Sequence, residues 1–421
     1  MGRWRAIGVL LAAVVAGTGS APPAPDQPSE VPCPRAEVEP PPDRPVPPPP
    51  PGYAPGDREI GGPALASAGL VLPPDVPPPP DRLSASSWLV ADLDTGAVLG
   101  ACGAHEYGIP ASTLKLLLAL TLLDELDPVE VVEVTAGDMA FTPGSSAVGL
   151  LVGGGYPVET LWLGLLLNSG NDAANVLARV GGGRDGVPGT LAAMNARARL
   201  LGAHQTHAAT PSGLDGPGQF TSAYDLALIA RALFDHERFR RYTATERVRI
   251  PAQPPQDPRG FEIQNNNRLL YNYQGALGGK TGFTELARHA YVGAAQRQGR
   301  RLVVTLLGAE RQPAPAWRQG AALLDWGFSL PPDARVGRLV EPGETLSTLL
   351  PPGEVAGRPN ELASYATATA RPTRPATVVR EGWSVATVAI VAGVTLAGVG
   401  GLLVPLVLVA GRRRVGGRRD P

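Results

Sequence analysis

Pro110-Ala111-Ser112-Thr113-Leu114-Lys115, continuing as LLLALTLLDEL over 116–126, reads as a helix apolar on nearly every face that opens on a serine and a lysine three residues apart. A helix apolar all round belongs in a core, so this stretch sets the centre of the fold. Ser112 and Lys115 fall one turn apart and share a face. Exclusion of water disfavours the charged form of an ammonium, which leaves Lys115 competent as a base. Pro110, at or just before the first helical position, costs no hydrogen bond and leaves Ser112 near the positive end of the helix dipole, where a forming alkoxide is stabilised. The pair has the look of a nucleophile and its base.

Upstream, residues 88–93 and 97–99 flank Asp94-Thr95-Gly96, a hairpin signature. Downstream, helical periodicity dominates to about Phe239, with apolar clusters at 161–167, 173–180, 191–201 and 223–233 separated by glycine-rich joints. Beyond Lys280 the pattern is strand-like at 291–295 and 301–307, and a last helix ends at Phe328. Strands from both ends enclosing a helical middle predict an α/β (α+β) fold: one antiparallel sheet flanked by helices, with an inserted all-helical lobe and the active site between the two.

Two further motifs fall where that cleft needs them. Asn168-Ser169-Gly170-Asn171-Asp172 joins two apolar helices, so its polar side chains sit in a loop, with Asp172 expected to cap the second helix. Lys280-Thr281-Gly282-Phe283 follows Gly278-Gly279 and leads into a strand hairpin. Strand alternation sends Lys280 and Thr281 to opposite sides, so both can serve one cleft only on an edge strand or with local twist at the glycines.

The 421 residues carry 37 lysines and arginines against 38 acidic residues, a balance that gives no sign of nucleic-acid binding. The ends say more. Arg3 and Arg5 precede a short apolar run and small residues at Gly19-Ser20-Ala21, which predicts an export signal over 1–21. Proline runs over 22–80 predict an extended linker, followed by a catalytic domain at 81–330 and a short extension with a stalk at 331–383. An uncharged stretch at 385–410 has the length of a membrane span. It lies within an expected transmembrane helix at 384–411, and the arginine-rich tail at 412–421 predicts a cytoplasmic C-terminus with the catalytic domain outside the cell. In an exported protein the only two cysteines, Cys33 and Cys102, suggest a disulfide that would pin the proline-rich arm to the catalytic domain.

Singly these tripeptides are weak signals. In the order serine-x-x-lysine, serine-glycine-asparagine, lysine-threonine-glycine, on a helix start, a loop and a strand, they form a known set. From about 81 to 328 the chain resembles the serine-type D-alanyl-D-alanine carboxypeptidases, the low-molecular-mass penicillin-binding proteins of the β-lactamase/transpeptidase-like superfamily. The resemblance rests on IPASTLKLL around Ser112, LLLNSGNDAANVLA around Ser169, TPSGLDGPGQFTSAYDLALIARAL from Thr210, GGKTGFTELARHAYVGAA around Lys280 and LLDWGF at Leu323.

That resemblance implies hydrolysis of the terminal D-Ala-D-Ala bond of peptidoglycan stem peptides through a serine acyl-enzyme, covalent acylation by β-lactam antibiotics, and no metal or organic cofactor. It implies Ser112 as nucleophile, Lys115 as the base that activates it, and Ser169 as a proton relay to the leaving amine. It also implies that Asn171 binds the substrate amide, and that Thr281 of the Lys280-Thr281-Gly282 strand grips the free carboxylate with the charge of Lys280. The N–H groups of Ser112 and Phe283 would form the oxyanion hole. Family members often carry a carboxylate-binding arginine after this hairpin; Arg311 and Arg318 are both candidates, and neither is assigned.

Other readings weigh less. A P-loop needs a glycine where Gln274 stands. Asp94-Thr95-Gly96 has no second copy to make an aspartic-protease pair. His204 and His207 lack a convincing third metal ligand and read as solvated surface. A class A-like β-lactamase recruits a loop glutamate for deacylation, yet no glutamate occurs between Ser169 and Glu237. A catalytically silent peptidoglycan-binding envelope protein would not need an intact Ser112, Lys115, Ser169 and Lys280.

Overall fold

The computed structural model describes residues 30–39 and 44–345. The expected signal at 1–21, most of the stalk, and the expected transmembrane helix and tail lie outside the described residues. Among those described, no helix is long and apolar enough to cross a membrane.

Chain order explains how distant segments meet. A two-residue strand β1 (Leu70–Val71) precedes the hairpin of β2 (Ser87–Asp92) and β3 (Ala97–Cys102). Its turn is closed by the Asp92 carboxylate, which accepts the N–H groups of Asp94 and Thr95. The helical middle comprises α1 (Lys115–Leu122), α2 (Val158–Leu167), α3 (Asn171–Gly181), α4 (Gly186–Leu201), α5 (Ala223–Phe234) and the short α6 (Glu237–Thr243). Two small antiparallel pairs decorate it: β4 (Val131–Glu133) with β5 (Gly155–Pro157), and β6 (Arg247–Ile250) with β7 (Phe261–Gln264). After a single turn α7 (Leu269–Asn272) the chain returns to the main sheet as β8 (Ala276–Thr284), β9 (Arg288–Arg297) and β10 (Arg300–Ala309). Helix α8 (Ala316–Ser329) and a final strand β11 (Gly337–Arg338) follow.

The seven-stranded sheet has the order β1-β3-β2-β10-β9-β8, all antiparallel, with β11 also on β3. Gln298 and Gly299 both take positive φ in the β9–β10 turn, the backbone whose twist matches a tight hairpin. Along β10 the side chains alternate. Leu302, Val304 and Leu306 join one buried cluster with α8, while Val303 and Leu307 join the larger cluster built on α1 to α5. The sheet is therefore covered on both faces, and β8 is its free edge.

Three expectations need correction. Residues 57–72, expected inside an extended linker over 22–80, form two 3-10 turns and β1, and Leu65 is fully buried. One leucine in a proline-rich setting suffices when a strand, here β11 (Gly337–Arg338) by way of Gly337, packs directly against it. The α-helix after Pro110 begins at Lys115; Ala111–Leu114 is a 3-10 turn, in which residues three apart eclipse, so Ser112 and Lys115 still share a face. Asp172 does not cap α3. It lies inside the helix and accepts the N–H groups of Val148, Gly149 and Leu150, tying down the loop that faces the cleft. The Cys33–Cys102 disulfide is formed and fastens the arm to the end of β3.

Candidate active site

The cleft lies where the Ser112 turn, the loop before α3 and the edge strand β8 converge. All eight residues of α1 are buried, so Lys115 begins its helix wholly inside protein. Its Nζ lies 2.8 Å from Ser112 Oγ, 2.7 Å from Asn171 Oδ1 and 2.6 Å from the carbonyl oxygen of Ser212. A neutral amine has two N–H donors and one lone pair. The two acceptor oxygens use both donors, which turns the lone pair onto the Ser112 hydroxyl. Desolvation, reinforced by the charge of Lys280, lowers the pKa of Lys115 well below that of a free lysine. Geometry and charge state thus agree on a base.

Asn171 is held in turn, its Nδ2 donating to Ser145 Oγ at 2.9 Å and its N–H to the carbonyl of Ser146. Ser169 sits at φ 62°, a left-handed conformation unusual for a residue with a side chain, and its Oγ accepts from Lys280 Nζ at 2.9 Å. Lys280 is also buried, and desolvation pushes its pKa down to about 7. Its remaining contact is the carbonyl of Thr281 at 2.6 Å. Ser169 therefore pairs with Lys280, and Lys115 with Ser112 and Asn171, in two adjoining couples.

The geometric demand on Lys280 and Thr281 is met in both ways expected. Strand β8 is the edge of the sheet, and its register shifts between Ala276 and Gly278, where Gly278 and Gly279 take φ 114° and 140°. Gly282 must be glycine for another reason: a Cβ there would stand 2.9 Å from the Ser112 backbone nitrogen. This close approach sets the N–H of Ser112 against the strand that carries Phe283. The Phe283 ring is half exposed and stacks on His289, with the Arg288 guanidinium 5.3 Å from its centroid.

Thr281 and Gly282 border a cavity of about 520 Å³ that also reaches Arg311 and Arg318. The chain thus brings both unassigned arginines to the cavity that Thr281 and Gly282 border, despite cis-Pro313 and Pro315 between them. Sequence reasoning missed the role of Ser212, whose carbonyl accepts a hydrogen bond from Lys115, because a backbone acceptor leaves no residue-type signal. It missed Ser145 for lack of any motif. His204 is no surface residue: its ring bonds Asp57 and Thr345, whereas His207 is exposed.

A serine against a buried lysine whose pKa is driven down, a second serine–lysine couple and an edge strand beside them define a serine acyl-transfer enzyme of the penicillin-recognising class. The family model for D-alanyl-D-alanine carboxypeptidase matches residues 75–311, more than half the chain, and the chain belongs to that family. It is 46% identical over 277 residues to a D-alanyl-D-alanine carboxypeptidase of Mycobacterium tuberculosis, covering 65% of this chain and 89% of that one. A crystal structure of a D-alanyl-D-alanine carboxypeptidase from the same organism superposes with a TM-score of 0.59 at 45% identity, over 64% of this chain and all of that one. The DD-transpeptidase of a Streptomyces strain gives a TM-score of 0.57 at 27% identity, over 60% of this chain and all of the other. The protein is a serine-type D-Ala-D-Ala carboxypeptidase, a penicillin-binding hydrolase of cell-wall peptides.

Proposed function

We propose that Ser112 attacks the carbonyl of the D-Ala-D-Ala bond while Lys115 takes its proton, and that water then releases the shortened stem peptide from the serine ester. The observation that carries this assignment is the buried Lys115 Nζ lying 2.8 Å from Ser112 Oγ, with Asn171 Oδ1 and the Ser212 carbonyl as its two other partners, so that the neutral amine turns its lone pair to Ser112. Ser169, held by Lys280, delivers a proton to the departing D-alanine. Thr281, Lys280 and the arginines at 311 and 318 bind the terminal carboxylate, the group that separates a carboxypeptidase substrate from an internal peptide. The N–H groups of Ser112 and Phe283 receive the developing oxyanion.

Penicillins enter by the same first step and leave slowly, because the segment bordering Lys115 on the far side offers the Ser212 carbonyl in place of a glutamate base. A fluorescent penicillin tests the assignment: the enzyme is labelled and the label persists for many turnovers of peptide, while Ser112→Ala takes up none. Labelling retained in Ser112→Ala would refute Ser112 as nucleophile.

We also propose that the catalytic domain works outside the cell, exported by residues 1–21 and held at the membrane by the uncharged stretch at 385–410 with its trailing arginines. Sequence supports this reading: charge before a short apolar run at one end, and span length before basic residues at the other. Tethering suits a polymeric substrate that surrounds the cell. Ending the chain at 383 should move the protein from the membrane fraction to the medium; an unchanged distribution would contradict the anchor.

A further inference from the structure

Strand β8 ends the sheet, so a stem peptide with its carboxylate at Thr281 could add to it as a further, extended strand. Its N-terminal part then runs toward Thr284, advancing about 3.3 Å per residue. At that end the cleft adjoins a second cavity, of about 620 Å³. Ser212 borders this bay while its carbonyl holds Lys115, and Leu214 of the bay precedes Asp215, whose carboxylate accepts the Thr284 hydroxyl at 2.8 Å. Asn175, on the bay floor, lies one turn of α3 beyond Asn171, about 6 Å along the axis.

The bay has two characters. Phe141, Val187, Leu191 and Leu214 give it apolar walls. Two charges of opposite sign, Arg184 and Asp185, stand exposed where it is bounded by the start of α4. Neither side chain makes an ion pair or hydrogen bond among the described residues. Arg179, also on the lining, by contrast bonds the Asp138 carboxylate and the Glu133 carbonyl. An apolar passage ending in one unpaired cation and one unpaired anion matches a short aliphatic chain that carries an ammonium and a carboxylate at its tip.

We propose that this bay receives the side chain of the third stem-peptide residue and selects diaminopimelic acid over lysine. The proposal rests on the carboxypeptidase reading above. A diaminopimelyl side chain offers methylenes to the walls, a carboxylate to Arg184 and an ammonium to Asp185. A lysyl side chain leaves Arg184 unmatched, and a norleucyl side chain leaves both.

The test is D-alanine release by the full chain in detergent from three tripeptides, each ending in D-Ala-D-Ala and carrying N-acetylated meso-diaminopimelic acid, lysine or norleucine first. The expected order of kcat/KM is diaminopimelyl first, by about two- to fivefold, the scale of solvent-exposed charge pairs. Arg184→Ala should remove that advantage through KM while norleucyl turnover and penicillin labelling stay at wild-type levels. Wild-type enzyme that treats the three peptides alike, or an Arg184→Ala variant that lowers all three equally or none, would overturn the proposal. If wild-type enzyme releases no D-alanine and binds no penicillin, the carboxypeptidase reading itself falls, and the bay proposal with it.

Discussion

The two faces of the central sheet are built for different ends. On the α8 side Trp88, Tyr291, Leu323 and Leu324 are fully buried, and Trp88 meets Trp326 edge to face at 6.1 Å between ring centroids. Polar groups are few on this side: the Tyr291 hydroxyl bonds Asn267, the Trp326 indole N–H donates to the Pro77 carbonyl, and the buried Trp88 indole N–H finds no partner among the described residues. On the opposite side, at the seam between β8 and the helical lobe, two lysines are buried and two residues with side chains, Ala111 and Ser169, take left-handed backbone conformations. Each feature of the seam costs stability. The contrast teaches that chemistry is concentrated where the fold is least comfortable, and that the apolar layer behind the sheet supplies the rigidity that holds the seam in place.

Separating the two faces by mutation is the most direct way to break that comparison. Lys115→Met keeps the bulk of the side chain and removes the amine; peptide turnover and penicillin acylation should fall by about 10³ or more, while the melting temperature should not fall. A variant that melts markedly lower would mean that Lys115 stabilises the seam. Leu323→Ala should do the reverse, costing about 3 kcal/mol in denaturant unfolding while kcat/KM well below the melting temperature stays within about twofold, the variation expected from a site it does not touch. A proportional loss of activity would show that the α8 layer and the seam are not separable.

A smaller effect, in pH, sharpens the difference between the lysines. Lys115 acts only when neutral, so kcat/KM falls as the pH drops through its lowered pKa. In the proposed mechanism Lys280 serves the substrate carboxylate only when charged, and burial brings its pKa down to about 7, so kcat/KM should fall again as the pH rises through that region, by way of KM. A peptide whose terminal carboxylate is amidated should lose the alkaline limb and keep the acid one. An alkaline limb that persists with the amide would remove Lys280 from carboxylate binding.

Much of the site was legible because its residue types are chemically rare in their settings. A lysine at the head of an all-apolar helix has no structural reason to be there, and glycines at 278, 279 and 282 within one strand announce close approach or bending. The hairpins declared themselves through turn chemistry at Asp94-Thr95-Gly96. Other parts carried no such sign. Strands β4 to β7 are three or four residues long, too short for alternation to register. Arg311 and Arg318 sit among prolines that hide the path of the chain, and Asp172 could equally have been a helix cap.

The sequence by itself determined the three motifs, the enclosure of a helical middle by strands from both ends, and the disulfide suggested by a lone pair of cysteines. These follow from local chemistry and from patterns within a few residues. Only the tertiary structure decided that β8 is the sheet's free edge, that Lys115 and Lys280 form separate couples with Ser112 and Ser169, and that the Ser212 carbonyl completes the first. Those outcomes depend on which remote segments pack together, since hydrogen-bond direction and burial are properties of the assembled neighbourhood, and no residue carries them alone.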